Sequence, residues 1–94
     1  MTVLFWTGEA LRDRDAIYDH IETDNPPAAL ALDELFSEKA ARLVDHPALG
    51  RPGRVAGTRE LVVSSSCILV YDLAGVQVRV LRVLHAARQW PPPK

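Results

Sequence analysis

The sequence predicts a single α+β domain in which a hairpin of two helices packs on one face of a largely antiparallel four-stranded sheet, in the order β-α-α-β-β-β. Three observations carry that expectation. A short apolar run, Val3 to Trp6, opens the chain. Two stretches with apolar residues at helical spacing follow, parted by Asn25-Pro26-Pro27. The second half then holds three runs rich in Val, Leu and Ile, separated by Ser64-Ser65-Ser66 and by Ala74-Gly75. At 94 residues the whole chain, 1–94, is read as one domain, because a chain this short buries only about two-thirds of its unfolded surface and cannot support two cores.

Each element has a local reason. Val3-Leu4-Phe5-Trp6 is bounded by Gly8 and is long enough for a strand but too short for a helix. From Glu9 to about Thr23, Leu11, Tyr18 and Ile21 recur at helical spacing with Ile17 beside them, while Arg12, Asp13, Asp15, Asp19 and Glu22 supply the polar face. Proline lacks the amide that a helix interior requires, so Pro26 and Pro27 end this helix, and Asn25 is placed to cap a new one. Ala28, Ala29, Leu32, Leu35, Phe36, Ala40 and Leu43 form the stripe of that second helix, which runs to about Val44; Leu11, Tyr18, Leu32 and Phe36 are the expected helix-to-sheet core. His46 to Gly57, with two prolines and three glycines, reads as a structured loop. Thr58–Val63, Cys67–Leu73 and Val76–Leu84 then read as a meander, and residues 89–94, ending Pro91-Pro92-Pro93-Lys94, as an extended proline-rich tail.

Composition excludes several classes of function. With 48% hydrophobic and 24% charged residues and no apolar run near the ~20 residues a bilayer demands, no membrane association is expected. The N-terminus turns polar too soon for a secretory signal, so the expected compartment is the cytoplasm. Cys67 has no second thiol to pair with, and no His, Cys or Asp spacing suggests a metal; no cofactor is expected. A net charge of −1 argues against coating nucleic acid through bulk electrostatics. The charge is nonetheless uneven: ten of the twelve acidic residues precede Ala48, whereas the arginines of the sheet half meet only Glu60 and Asp72.

Particular residues carry a family resemblance. The opening strand with Trp6, the pattern A-x-x-D-x-x-x-I at Ala10, Asp13 and Ile17, and N-P-x-A-A at Asn25, Pro26, Ala28 and Ala29 are followed by D-H-P-x-L-G-R-P-G-R (Asp45 to Arg54). After these come G-T-R-E-L (Gly57 to Leu61), I-L-V-Y (Ile68 to Tyr71) and R-V-L-H-A-A-R-Q-W-P (Arg82 to Pro91). In this order they span nearly the whole chain, which resembles toxins of the ParE/RelE superfamily, with the ParE-like branch favoured. The resemblance implies the toxin half of a type II toxin-antitoxin pair. Its partner would be a small ParD-like antitoxin whose disordered C-terminal segment folds around it as a helix and a strand. ParE-like members poison DNA gyrase without chemistry of their own; RelE-like members cut messenger RNA on the ribosome; a third reading is the toxin fold with a different or lost target.

RNA cleavage needs a base for the 2′-hydroxyl, cations for the crowded phosphorane and an acid for the leaving oxygen. Arg59, Glu60, Arg82 and His85 are the residues that could supply them. Against this, RelE-like nucleases resemble R-L-V-Y where this chain has Ile68-Leu69-Val70-Tyr71, and an isoleucine cannot neutralise a phosphate. Tyr71 is also the last tyrosine. Arg59 and Glu60 are adjacent and so face opposite sides of a regular strand. By the same alternation Arg82 shares a face with Val78, Val80 and Leu84, its stem among core residues and its head reaching a carboxylate. Arg51, Arg54, Arg59, Arg79, His85, Arg88 and Trp90 are the expected antitoxin or target contacts, with His85 to Pro91 the expected region of target contact.

Overall fold

The computed structural model describes residues 2–85. Seven elements follow in order: β1 (Val3–Trp6), α1 (Gly8–Glu22), α2 (Pro26–Asp45), β2 (Arg51–Pro52), β3 (Arg59–Ser64), β4 (Cys67–Ala74) and β5 (Gln77–His85). The strands form one sheet in the order β1-β5-β4-β3-β2. β1 runs parallel to β5, and the other pairings are antiparallel. The expected class and element order therefore stand, with one strand added. β2 is a two-residue edge strand paired with Arg59 and Glu60; an edge is where a strand containing Pro52 can be tolerated, since the missing amide faces outward.

Both helices begin as their residues dictate. The Thr7 hydroxyl accepts from the Ala10 amide, and Asn25 Oδ1 accepts from the Ala28 amide with Pro26 and Pro27 in the first turn. The hairpin covers one face of the sheet. Ala10, Phe36, Ala40 and Leu43 meet Leu61, Val63, Leu69, Tyr71, Val78, Val80 and Val83, and Trp6, Ile17 and Leu32 pack against that cluster. Of the four residues expected at the helix-sheet core, Phe36 is buried and Leu32 packs on it, but Leu11 is 46% exposed and Tyr18 is only half-buried, outside the core cluster. The inward stripe of α1 is Ala10, Asp13, Arg14 and Ile17 instead. Alanine at position 10 lets the helix approach closely, and Arg14 fills the space a leucine was expected to fill. Its guanidinium lies 4.6 Å from the Trp6 ring centre while donating to Asp33 and Ser37 of α2.

Two irregularities set which residues face where. Tyr71 pairs with Val80 but Val70 pairs with Arg82, so Leu81 is an extra residue in β5. A second shift near Val63 lies in β3. The β5 bulge reverses the alternation beyond it. Val78, Val80 and Val83 consequently point to the helices, while Arg79, Arg82 and Leu84 point away. This corrects the expectation that Arg82 shares a face with Val78 and Val80; its head does reach a carboxylate, as expected.

That carboxylate closes a gap in the sheet. β1 pairs only as far as Val80, which leaves the upper half of β5 without a strand on that side among the described residues. Residues at the start of α1 take over the backbone groups. The Thr7 hydroxyl donates to the Leu81 carbonyl at 3.0 Å, and the Val83 amide donates to Asp13 Oδ2 at 2.9 Å. The Arg82 guanidinium donates to both oxygens of the same carboxylate, at 2.7 and 3.1 Å. The hydrogen bond to Asp13 holds the Arg82 pKa above its ordinary value, partial burial opposing it.

Candidate partner-binding face

With both helices on one side, neither helix covers the other face of the sheet, and the pairing register writes out its rows; Val70, Glu60 and Leu84 are nonetheless buried there, at 0%, 2% and 3% exposure. One row runs Val3, Gln77, Ala74; the next Phe5, Arg79, Asp72; then Arg82, Val70, Glu60, Arg51; and finally Leu84, Ile68, Val62. The charged residues of the middle rows are engaged with one another. Arg79 forks onto Asp72 at 2.8 and 2.6 Å across neighbouring strands, a hydrogen bond that raises the Arg79 pKa. Arg82 is held by Asp13.

Glu60 is 2% exposed. A buried carboxylate requires partners: the Arg54 amide donates to it at 3.0 Å, Arg51 donates at 3.3 Å, and the Arg54 guanidinium stands 3.7 Å away. The loop carrying both arginines folds over this carboxylate and covers it. Those arginines keep 59% and 57% of their side chains exposed, so two cations share one anion on this face.

The loop between α2 and β3 is pinned from the helix side. The Tyr71 hydroxyl, on a fully buried ring, donates to the Pro47 carbonyl and accepts from the Gly50 amide, each at 2.8 Å. Arg59, a nuclease and partner candidate from sequence, points to this side and donates to the Gly50 carbonyl at 2.7 Å. Arg59 and Glu60 do lie on opposite faces. A side chain at Gly50 would place its Cβ 2.7 Å from the Tyr71 hydroxyl and 2.9 Å from the Glu60 carbonyl. Gly50→Ala is expected to lower stability by about 1–3 kcal/mol through forced displacement of a packed ring, measured as a lower midpoint of thermal unfolding.

The last row of the open face borders a depression of about 210 Å³. Val62, Ile68 and Leu84 line it together with Arg54, His85 and the Ser64–Ser66 turn. His85 is half-buried at the end of β5, opposite Cys67. The structure thus brings Arg51, Arg54 and Glu60 to one side of the molecule, leaves His85 at the rim of the depression in register with the core residue Cys67, keeps Arg59 on the helix side, and engages Arg79 and Arg82 in ion pairs. Arg88, Trp90 and the proline-rich tail lie outside the described residues. Among the described residues no group of three His, Cys, Asp or Glu is placed to hold a metal ion, and no helix is long and apolar enough to cross a membrane. The apolar row itself was legible only at Ile68; Leu84 joins it through the bulge at Leu81, which no sequence signal marks.

Residues 4–90 match the model of the ParE toxin of type II toxin-antitoxin systems (parDE). The chain belongs to the ParE toxin family. It is the toxin component of a type II toxin-antitoxin system within the ParE/RelE superfamily, as its residues suggested. A putative toxin, Y4kP, of Sinorhizobium fredii is 40% identical over 92% of this chain and 90% of its own length. Toxin RelE2 of Caulobacter vibrioides is 36% identical over 94% and 99%. Among solved structures, a chain of the chromosomal ParDE system of P. aeruginosa superposes with a TM-score of 0.81 at 31% identity, covering 90% of this chain and 96% of that one. These relatives carry both names of the superfamily.

Proposed function

We propose that this ParE-family toxin acts on DNA gyrase as a protein poison without chemistry of its own, held in check by a small ParD-like antitoxin. The observation that carries the reading is the row Leu84, Ile68, Val62 on the open face. A phosphorane needs cations where it forms, and this part of the face is hydrocarbon. Three of the four nuclease candidates are occupied structurally: Arg82 with Asp13, Arg59 with backbone carbonyls, Glu60 with Arg51 and Arg54. Purified protein incubated with gyrase and supercoiled plasmid is expected to leave cleaved plasmid. A parallel translating-ribosome reaction is expected to leave messenger intact. Cut messenger with untouched plasmid would overturn the reading.

One feature favours the alternative, ribosome-dependent RNA cleavage: Arg54 and His85 line the same depression, and imidazole is the side chain best suited to proton transfer near neutral pH. On that alternative His85→Ala would abolish message cutting. On the gyrase reading it leaves translation products unchanged, since none are cut to begin with.

A further inference from the structure

We infer that the outer edge of β1 is a pairing surface for a second copy of this chain, the two β1 strands meeting antiparallel about a two-fold axis at Leu4 so that one sheet runs through both molecules.

The backbone sets this up. β1 lies at the end of the sheet and pairs with β5 alone. The Val3 amide donates to the Val76 carbonyl at 2.7 Å and the Thr7 amide to the Val80 carbonyl at 3.0 Å. Main-chain groups alternate in direction along a strand, so Val3, Phe5 and Thr7 turn theirs to β5 while Thr2, Leu4 and Trp6 turn theirs outward. Among the described residues no strand lies on that side.

The two ends of the sheet are guarded differently. β2 is two residues long, contains Pro52 and carries Arg51, which are devices that keep an edge from pairing with another chain. Val3-Leu4-Phe5-Trp6 has no charge and no proline, and its register with β5 is regular. Its one safeguard is its shortness, four residues. Val3 and Phe5 are each 47% exposed on the face away from the helices, so an arriving strand meets hydrocarbon beside the outward amides and carbonyls.

Self-complementarity names the occupant. With Leu4 opposite the partner's Leu4, Thr2 falls opposite the partner's Trp6, and the outward amides and carbonyls of all three residues find counterparts. Between these hydrogen-bonded pairs Val3 meets the partner's Phe5 in a non-hydrogen-bonded pair, where Cα atoms approach to about 4.5 Å and side chains touch. The two-fold axis repeats that apolar pair on its other side. Centring on Phe5 instead sets Thr2 opposite the partner's Gly8, which already belongs to α1, and those bonds are lost. Charge agrees with a like strand. β1 offers no cation to an acidic peptide or a nucleic acid, and Arg79 and Asp72 beside Phe5 neutralise each other. The acidic α1 packs on β5, and α2 is the helix that lies against β1, so most of the acidic charge stands back from the axis.

A single strand pair buries less than the ~1,200 Å² of a stable interface, so the dimer forms on concentration. The test follows the full chain by sedimentation and by amide hydrogen exchange at about 10 µM and about 1 mM, a span suited to weak association. At the higher concentration the mass is expected to double and exchange to slow at Leu4 and Trp6, while the Thr7 amide, already held by Val80, stays unchanged. Phe5→Lys sets a lysine against the partner's Val3 and is expected to weaken the dimer by at least about tenfold. Because Phe5 adjoins the Arg79–Asp72 pair, Val3→Lys serves as a second variant with the same expected loss. Both side chains point away from the helical core, so the melting midpoint of the dilute protein should hold. Val62→Lys, at an equally exposed position on β3, is expected to leave the dimer intact. A monomer at about 1 mM, a dimer that survives both β1 variants, or one that Val62→Lys abolishes would overturn the inference. Full protection of Leu4 and Trp6 already at about 10 µM without a doubled mass would overturn it too, since the edge would then be covered within the chain.

Discussion

Asp13→Ala is expected to cost about 3–5 kcal/mol of stability, the range found when one member of a buried ion pair is removed. The carboxylate side chain is 10% exposed and the Arg82 side chain 15%, so the guanidinium left behind cannot simply turn to water. The Val83 amide would lose its acceptor as well. For a domain of this size each kcal/mol moves the unfolding midpoint by about 4–8 °C, so a fall of roughly 12–40 °C should appear in a circular-dichroism melt. Asp13→Asn keeps an oxygen for the Val83 amide and loses the charge, and should fall between. If alanine costs under about 1 kcal/mol, α1 is not what completes the β5 edge and the assignment of that role to Asp13 is wrong.

The same residue shows what sequence could and could not deliver. Asp13 stood out as the acid of an A-x-x-D-x-x-x-I pattern, and all three residues of the pattern prove to face inward, Ala10 buried completely, Asp13 nearly so and Ile17 against the core. Helix positions were readable because their causes are local: Asn25 and the two prolines fix the start of α2 wherever the rest of the chain lies. The facing of α1 was not. Leu11 and Tyr18 are the larger hydrophobes, but the stripe that docks is set by how near α1 must come to Trp6 and β5, and alanine with a stacked arginine satisfies that better than leucine. Strand content was readable from Val, Leu and Ile runs, whereas the bulge at Leu81 arises from pairing with β4 and reverses Arg82 and Leu84 together. β2 was hidden for a related reason: two residues containing a proline have no strand propensity, and only β3 makes them a strand.

At the candidate face, the arginines were identifiable as residues but not as a site. Arg51, Arg54, Arg59 and Arg79 look alike in sequence. The fold divides them by partner: Asp72 sits directly opposite Arg79, the Gly50 carbonyl takes Arg59, and Glu60 gathers Arg51 and Arg54. Alternation predicted that Arg59 and Glu60 part company across the sheet, and they do. Burial of Glu60 was beyond reach of that reasoning, since it depends on a glycine-rich loop folding back thirty-odd ångströms of chain, at most ~3.6 Å per residue, onto its own strand.

Tyr71→Ala should be the most destabilising single change. Removing a fully buried aromatic ring costs about 3–5 kcal/mol, and the Gly50 amide, buried and deprived of its acceptor, adds roughly 1–3 kcal/mol. Against a total of about 5–15 kcal/mol for a small domain, that sum leaves a substantially unfolded population at room temperature, visible as loss of the cooperative melt. Tyr71→Phe separates the two contributions. The ring still fills its place in the core cluster, so the sheet should stay folded with a loss of about 1–3 kcal/mol, while the Gly50 amide exchanges with solvent faster. Because Gly50 begins the stretch that carries Arg51 and Arg54, the phenylalanine variant should also loosen the loop over Glu60, read as faster exchange of the Arg54 amide that donates to that carboxylate. Unchanged exchange at both Gly50 and Arg54 would mean that the hydroxyl does not hold the loop, and that Glu60 sets where the two arginines stand.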